Sequence, residues 1–293
     1  MNKIVLLTGA HGFTGRYVRR ALELDGFKVF GLVQKDALAE DEIEADLLDL
    51  ASLCLAVARV KPNFVIHLAA LAFVDHGSAK LFYDVNLFGT MNLLEALHAE
   101  APQVEKILLS SSANVYGNPT VSIVNEDTPP SPINHYATSK LAMEFMARTW
   151  SDRLPIVFTR PFNYTGAGQE LQFLIPKIVD HFRRRADVIE LGNLKVTREF
   201  NDVRMIAKAY SDLMQRAEPN SLFNLCSGRG YQLTEVIQLC EQLTGHTMDI
   251  RVNPAFVRAN ELKLLVGDAS RLNQKLPQLP KYDLKDTLTW MLK

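Results

Sequence analysis

Short apolar runs recur along the first half of the chain, with amphipathic stretches between them. Ile4–Leu7, Val29–Val33, Phe64–Leu68, Ile107–Leu109 and Ile156–Phe158 lack the apolar-polar alternation of a half-exposed strand. This predicts parallel strands covered by helices on both faces. Between the first two runs, Phe13, Tyr17, Val18, Ala21 and Leu22 share one helical face, and Gly26 stands where that helix should stop. The repetition of this βαβ unit through about residue 160 predicts a doubly wound α/β sheet with its ligand site at the carboxyl ends of the strands. After Arg160-Pro161 the rhythm breaks into a glycine-rich turn at Gly166 and Gly168, a helix over 173–185, and a further apolar run at Leu222–Leu225. The chain therefore divides into residues 1–165, with strands returning to the sheet from about 195–225, and a smaller α/β region over 166–293.

Composition narrows the function classes. A chain of 293 residues can bury a core and still carve a cleft. Its 32 Lys plus Arg against 33 Asp plus Glu leave no broad positive field, which argues against nucleic acid or an anionic membrane as partner. Cys54, Cys226 and Cys240 lie far apart and the histidines form no metal-ligand spacing, so no metal is expected and a reducing cytoplasm is the simplest location. The early run Ile4–Leu7 is too short for a signal-peptide core or a membrane span.

The segment between the first strand and first helix carries the clearest chemistry. Gly9, Gly12 and Gly15 recur at three-residue intervals around His11, Phe13 and Thr14. Missing side chains let the backbone approach a pyrophosphate, and the helix that follows offers unpaired N–H groups and the positive end of its dipole. This predicts a Rossmann-type dinucleotide site. Sites selective for NAD place an acid about 20 residues further on, near the end of the second strand. Here Leu32-Val33-Gln34-Lys35 stands instead, and Arg16 and Lys35 suit a 2′-phosphate, favouring NADPH; Asp36 leaves NADH open. Asp46 and Leu47 are candidates to flank the adenine.

Two segments add a catalytic set: Ser110–Gly117 after a strand, and Tyr136-Ala137-Thr138-Ser139-Lys140 opening a helix. Tyr136 and Lys140 are four apart and share a helix face, so the ammonium is expected to favour the ionised phenol, with a serine hydroxyl completing the grip on a carbonyl or alcohol oxygen. With these residues the chain resembles the extended short-chain dehydrogenase/reductase family, which modifies nucleotide-activated sugars. His67-Leu68-Ala69-Ala70, Asn86, Gly89-Thr90, Ser112, Tyr136 and Lys140 stand where that family's pattern expects them. The resemblance implies that Ser112 and Tyr136 hold the sugar oxygen, that Lys140 binds the nicotinamide ribose, and that Pro161 lies against the nicotinamide. It also implies a homodimer through a four-helix bundle, for which Leu87, Phe88, Met91, Leu94, Leu141, Met143, Phe145 and Met146 supply apolar residues.

Arg160–Gln169, Gly192-Asn193-Leu194, Arg198–Arg204 and Asn224–Gly230 look like the GDP-6-deoxy-D-mannose reductase branch of that family, whose close relatives include GDP-mannose 4,6-dehydratases. Candidate substrate contacts are Ser111, Asn114, Asn163, Lys177, Arg198, Arg258 and Glu261, of which Asn163 and the cations suit a diphosphate. Sugar-nucleotide dehydratases carry an acid at the place of Asn114, because eliminating water needs an additional proton-transfer group. Asparagine cannot trade that proton, and this favours simple carbonyl reduction. The expected activity is NADPH-dependent reduction of a nucleotide-linked 4-keto-6-deoxy sugar, GDP-4-dehydro-6-deoxy-D-mannose first, for surface polysaccharide. A dTDP-linked or heptose substrate, a 4-epimerase with tightly bound NAD, and a non-catalytic dinucleotide sensor are the alternatives.

Overall fold

The computed structural model describes residues 3–72, 78–256 and 264–293. Its first half alternates β1 (Ile4–Thr8), α1 (Phe13–Leu24), β2 (Lys28–Val33), β3 (Glu42–Glu44), α2 (Leu50–Val60), β4 (Phe64–His67), α3 (Ala79–Tyr83), α4 (Gly89–Glu100), β5 (Lys106–Ser110), α5 (His135–Arg148) and β6 (Ile156–Pro161). The second half supplies β7 (Tyr164–Thr165), α6 (Leu174–Arg183), β8 (Val188–Leu191), β9 (Thr197–Arg198), β10 (Asn201–Asp202), α7 (Val203–Arg216) and β11 (Leu222–Leu225). It continues with β12 (Tyr231–Gln232), α8 (Leu233–Thr244), β13 (Asp249–Val252), β14 (Leu264–Leu265), α9 (Ser270–Lys275) and α10 (Leu284–Leu292).

Seven parallel strands form the central sheet in the order β11-β6-β5-β4-β1-β2-β3. Thr8 pairs with Leu32 on one side and His67 on the other, and Ser110 pairs with Thr159. The strands thus end together, and the chain order reverses beside β1, the place where doubly wound sheets open a ligand crevice. The expected strands are all present. Of the strands expected to return from about 195–225, only Leu222–Leu225 joins this sheet; β9 and β10 lie in small separate sheets. Locally, the buried Glu199 between them accepts from the backbone of Ser227 and Gly267, β9 pairs with β12 and β14, and β10 pairs with β7.

Each face of the sheet buries its own apolar layer. Val5, Leu7, Val18 and Leu22 pack with Ile206, Tyr210 and Leu213 of α7, so a helix from the second half completes the cover beside α1. Leu6, Leu53, Leu93, Leu97 and Met143 fill the opposite face. A separate cluster of Ile178, Phe182, Val236 and Leu288 holds α6, α8 and α10 together. Of the apolar residues assigned to a bundle, Leu94 and Met143 belong to the core, whereas Phe88, Phe145 and Met146 are 57%, 59% and 47% exposed. Among the described residues no helix is long and apolar enough to cross a membrane.

Candidate active site

The glycine loop is closed onto the start of α1. Gly9 has φ +70°, and a Cβ there would lie 2.9 Å from the Ala69 nitrogen; a Cβ on Gly15 would overlap the Gly9 carbonyl oxygen. Only bare backbone fits. Gly12 is the N-cap of α1 with no side-chain cap, and the first turn carries no acid. The N–H groups of Phe13, Thr14 and Gly15 therefore have no intrahelical acceptor, and the positive helix end stands open to an anion. The residues present fit the diphosphate of a dinucleotide.

The neighbouring side chains are more committed than sequence reasoning assumed. His11 Nε2 lies 2.7 Å from Glu42 on β3, and this partner first of all pulls the Glu42 carboxyl down to about 2. Glu42 was not singled out from the sequence, because a carboxylate on a three-residue strand carries no motif. Arg16 donates to the Gly168 carbonyl at 3.1 Å, toward the segment after β7, while Lys35 is exposed just beyond β2. Asp46 accepts from the Leu48 nitrogen at 2.9 Å and from Gln34 at 3.4 Å, and Leu47 is buried. Leu68, Ala69 and Ala70 follow β4 as a partly exposed wall facing Gly9.

Ser112, Tyr136 and Lys140 are brought together at the end of β5. Ser112 caps the short turn Ala113–Tyr116, accepting from the Asn114 nitrogen at 3.2 Å. That bond uses a lone pair and leaves the Ser112 hydroxyl proton to point at an oxygen, and Ser112 lies near enough to Tyr136 to lower its pKa. Asn134 caps α5 through the Ala137 nitrogen, at 2.8 Å, fixing the first turn that carries Tyr136. Lys140 is buried one turn on, and its Nζ donates to the Ser110 carbonyl at 2.7 Å.

The surroundings of Tyr136 act against the expected ionisation. Burial pushes the phenol up to about 12, and nearby Ser112 only partly offsets the rise. Lys140 directs one N–H to the Ser110 carbonyl, and burial brings its ammonium down to about 8 against the opposing pull of Glu144. At neutral pH the pair is a phenol and an ammonium: an acid ready to give a proton, rather than a base. Ser111, next to this pair, is buried with a hydroxyl that has no partner among the described residues.

Asn86 sits on a π-helical turn, Asp84–Phe88, between α3 and α4. It braces the loop beyond Ala70, accepting from the Leu71 nitrogen at 2.8 Å and donating to the Leu71 carbonyl at 3.0 Å. Pro161 ends β6 beside Leu225. Among the substrate candidates, Asn163 exposes its side chain while its carbonyl accepts from the Asn201 nitrogen at 2.8 Å. Lys177 donates to the Glu190 carbonyl at 2.8 Å and lies 4.5 Å from the Phe256 ring centre. Arg198 donates to the Thr197 carbonyl at 2.9 Å. Arg258 and Glu261 lie outside the described residues.

A buried ion pair behind the site was not foreseen. Arg160 on β6 donates to both oxygens of Glu144 on α5, at 2.9 and 2.7 Å, and its guanidinium lies 4.8 Å from the Tyr116 ring centre. Glu144 is one helical turn past Lys140, so a carboxylate on the buried face of the catalytic helix was the available signal. Among the described residues no group of three or more His, Cys, Asp or Glu side chains could hold a metal ion.

Known proteins resemble this chain over most of its length. A family model described as GDP-mannose 4,6 dehydratase matches residues 6–291. A GDP-6-deoxy-D-talose 4-dehydrogenase from Aggregatibacter actinomycetemcomitans is 34% identical, over 92% of this chain and 89% of its own. A GDP-6-deoxy-D-mannose reductase from Pseudomonas aeruginosa is 30% identical, over 100% of this chain and 97% of its own. Among solved structures, a Burkholderia cenocepacia protein provisionally described as an epimerase is 42% identical with a TM-score of 0.93, covering 99% of this chain and 97% of that one. The structure of RMD from Pseudomonas aeruginosa complexed with NADPH is 28% identical with a TM-score of 0.86, covering 99% and 98%. The chain is therefore an enzyme of the GDP-mannose 4,6 dehydratase family, within the extended short-chain dehydrogenases/reductases.

Proposed function

We propose that the protein reduces the C4 ketone of GDP-4-dehydro-6-deoxy-D-mannose with NADPH, giving GDP-6-deoxy-D-mannose. The observation that carries this reading is the gathering of Ser112, Tyr136 and Lys140 at the end of β5, with Asn114 in the place where a dehydratase needs an acid. The two relatives described above, both at 30% identity or more, are named for GDP-linked 6-deoxyhexoses, which supports the base and the sugar class. The absence of a carboxylate at Gln34-Lys35 and the NADPH complex of the Pseudomonas structure support the cofactor. In this reading the enzyme works in the cytoplasm, upstream of surface polysaccharide, as a homodimer that covers Phe88, Phe145 and Met146.

The reduced nicotinamide, when bound, supplies a hydride to C4. The glycine loop and the open end of α1 would hold its diphosphate and Lys140 its ribose, and Pro161 would border the ring. Ser112 directs its hydroxyl at the C4 oxygen and polarises it, and Tyr136 gives that oxygen its proton. Asn163 presents its amide to the diphosphate of the sugar nucleotide.

The pH dependence follows from the two shifted groups. Tyr136 keeps its proton to about 12, so it stays a competent acid through the neutral range. Lys140 carries its charge below about 8 and loses it above. Reduction is expected to be level from pH 6 to 7.5 and to fall as pH rises through about 8, while the reverse oxidation, which needs the phenolate, rises with pH. A reduction rate that climbs between pH 7 and 9 would contradict these assignments.

A second reading concerns the C4 configuration. The talose dehydrogenase is the more identical of the two curated relatives, and 6-deoxy-D-talose and 6-deoxy-D-mannose are C4 epimers that share one ketone. NADPH oxidation with GDP- and dTDP-linked 4-keto sugars, followed by chromatography of the products, tests both base and epimer. Turnover confined to the dTDP sugar would overturn the GDP assignment.

A further inference from the structure

His67 is buried at the end of β4 in a run of hydrogen bonds whose directions are all determined. The Thr90 hydroxyl donates to the Asn86 carbonyl at 2.8 Å, so its one hydrogen is committed. Thr90 must therefore accept from His67 Nε2, 2.9 Å away, which places the ring hydrogen on Nε2. On the other side His67 Nδ1 accepts from the Thr8 hydroxyl at 2.7 Å, and Thr8 in turn accepts from the Ala69 nitrogen at 3.1 Å. The run continues through Asn86, whose amide donates to the Ser139 hydroxyl at 3.1 Å. Ser139 donates to the Tyr136 carbonyl at 2.8 Å. One end thus fixes Ala69, which faces Gly9 in the dinucleotide cleft, and the other fixes the turn of α5 that carries Tyr136.

We propose that His67, as the neutral Nε2–H tautomer, is a positioning residue that locks the wall of the dinucleotide cleft to the catalytic helix. Cofactor affinity and proton transfer are then set by one network rather than two, and His67 touches neither ligand. Burial first, and nearby Lys140 second, hold the imidazole down to about 3, so it stays neutral wherever the enzyme works. The role rests on the reductase reading for its ligands, while the direction of each hydrogen bond does not.

The test combines two readouts. In the wild-type protein, long-range ¹H–¹⁵N spectra of the histidine side chains should show His67 as the Nε2–H tautomer, unchanged from pH 5 to 9. Thr90→Val, which keeps the volume and removes the hydroxyl, should weaken NADPH binding about tenfold in a fluorescence titration and lower kcat about tenfold, and Thr90→Ser should restore both. An Nδ1–H tautomer or a titrating ring would overturn the proposal even if no variant folds. So would a Thr90→Val enzyme that melts lower yet keeps its NADPH affinity and kcat, since that is the signature of a brace alone. A wild-type protein with the expected tautomer that binds no NADPH would instead overturn the reductase reading.

Discussion

Replacing Tyr136 with phenylalanine should lower kcat for keto-sugar reduction by about 10²–10⁴-fold, the usual worth of a positioned proton donor, with NADPH affinity close to wild type. The phenol is the one group beside Ser112 that holds a transferable proton through the neutral range, since Ser112 is a far weaker acid and the Lys140 ammonium is turned to the Ser110 carbonyl. Phenylalanine keeps the ring against Phe82, whose centre is 6.1 Å away, so the start of α5 should hold its place. Steady-state kinetics together with a direct NADPH titration separate the two effects. A variant that retains more than a tenth of wild-type kcat would remove Tyr136 from the role of acid.

The largest effect on stability is expected from Glu144→Gln. Arg160 and Glu144 have side chains only 5% and 2% exposed, and the bidentate bond is the principal compensation for burying the guanidinium. Leaving that cation with a neutral amide should cost about 3–5 kcal/mol, the range found when one partner of a buried pair is removed. For a chain of this size that is a fall in melting temperature of roughly 5–8 °C. Replacing both partners together, Glu144→Leu with Arg160→Met, should recover much of the loss. The single variant should also move the alkaline limb of reduction below about 8, because Glu144 holds the Lys140 ammonium up. Thermal melting that is unchanged in Glu144→Gln would show that the pair contributes little.

The parts of the fold written in local pattern were legible. Unalternating runs such as Phe64–Leu68 reveal strands covered on both faces, and the glycine spacing reveals the loop because closure leaves no room for a side chain at Gly9 or Gly15. Tyr136 and Lys140 were legible as a pair from their spacing. Their protonation was not, since burial and the distant choice of Ser110 as the partner of Lys140 decide it. The same holds for Arg16, whose bond to Gly168 joins residues 152 apart in the chain, and for Arg160 with Glu144. Nor does local pattern show that β9 and β10 leave the central sheet, because Glu199 anchors them to Ser227 and Gly267.

The most direct measurement is the fate of deuterium from NADPH dideuterated at nicotinamide C4, incubated with the enzyme and GDP-4-dehydro-6-deoxy-D-mannose. One deuterium at C4 of the GDP-6-deoxyhexose for each NADPH oxidised is the predicted result. Interconversion of sugar nucleotides without net NADPH oxidation would contradict it and make the protein an epimerase.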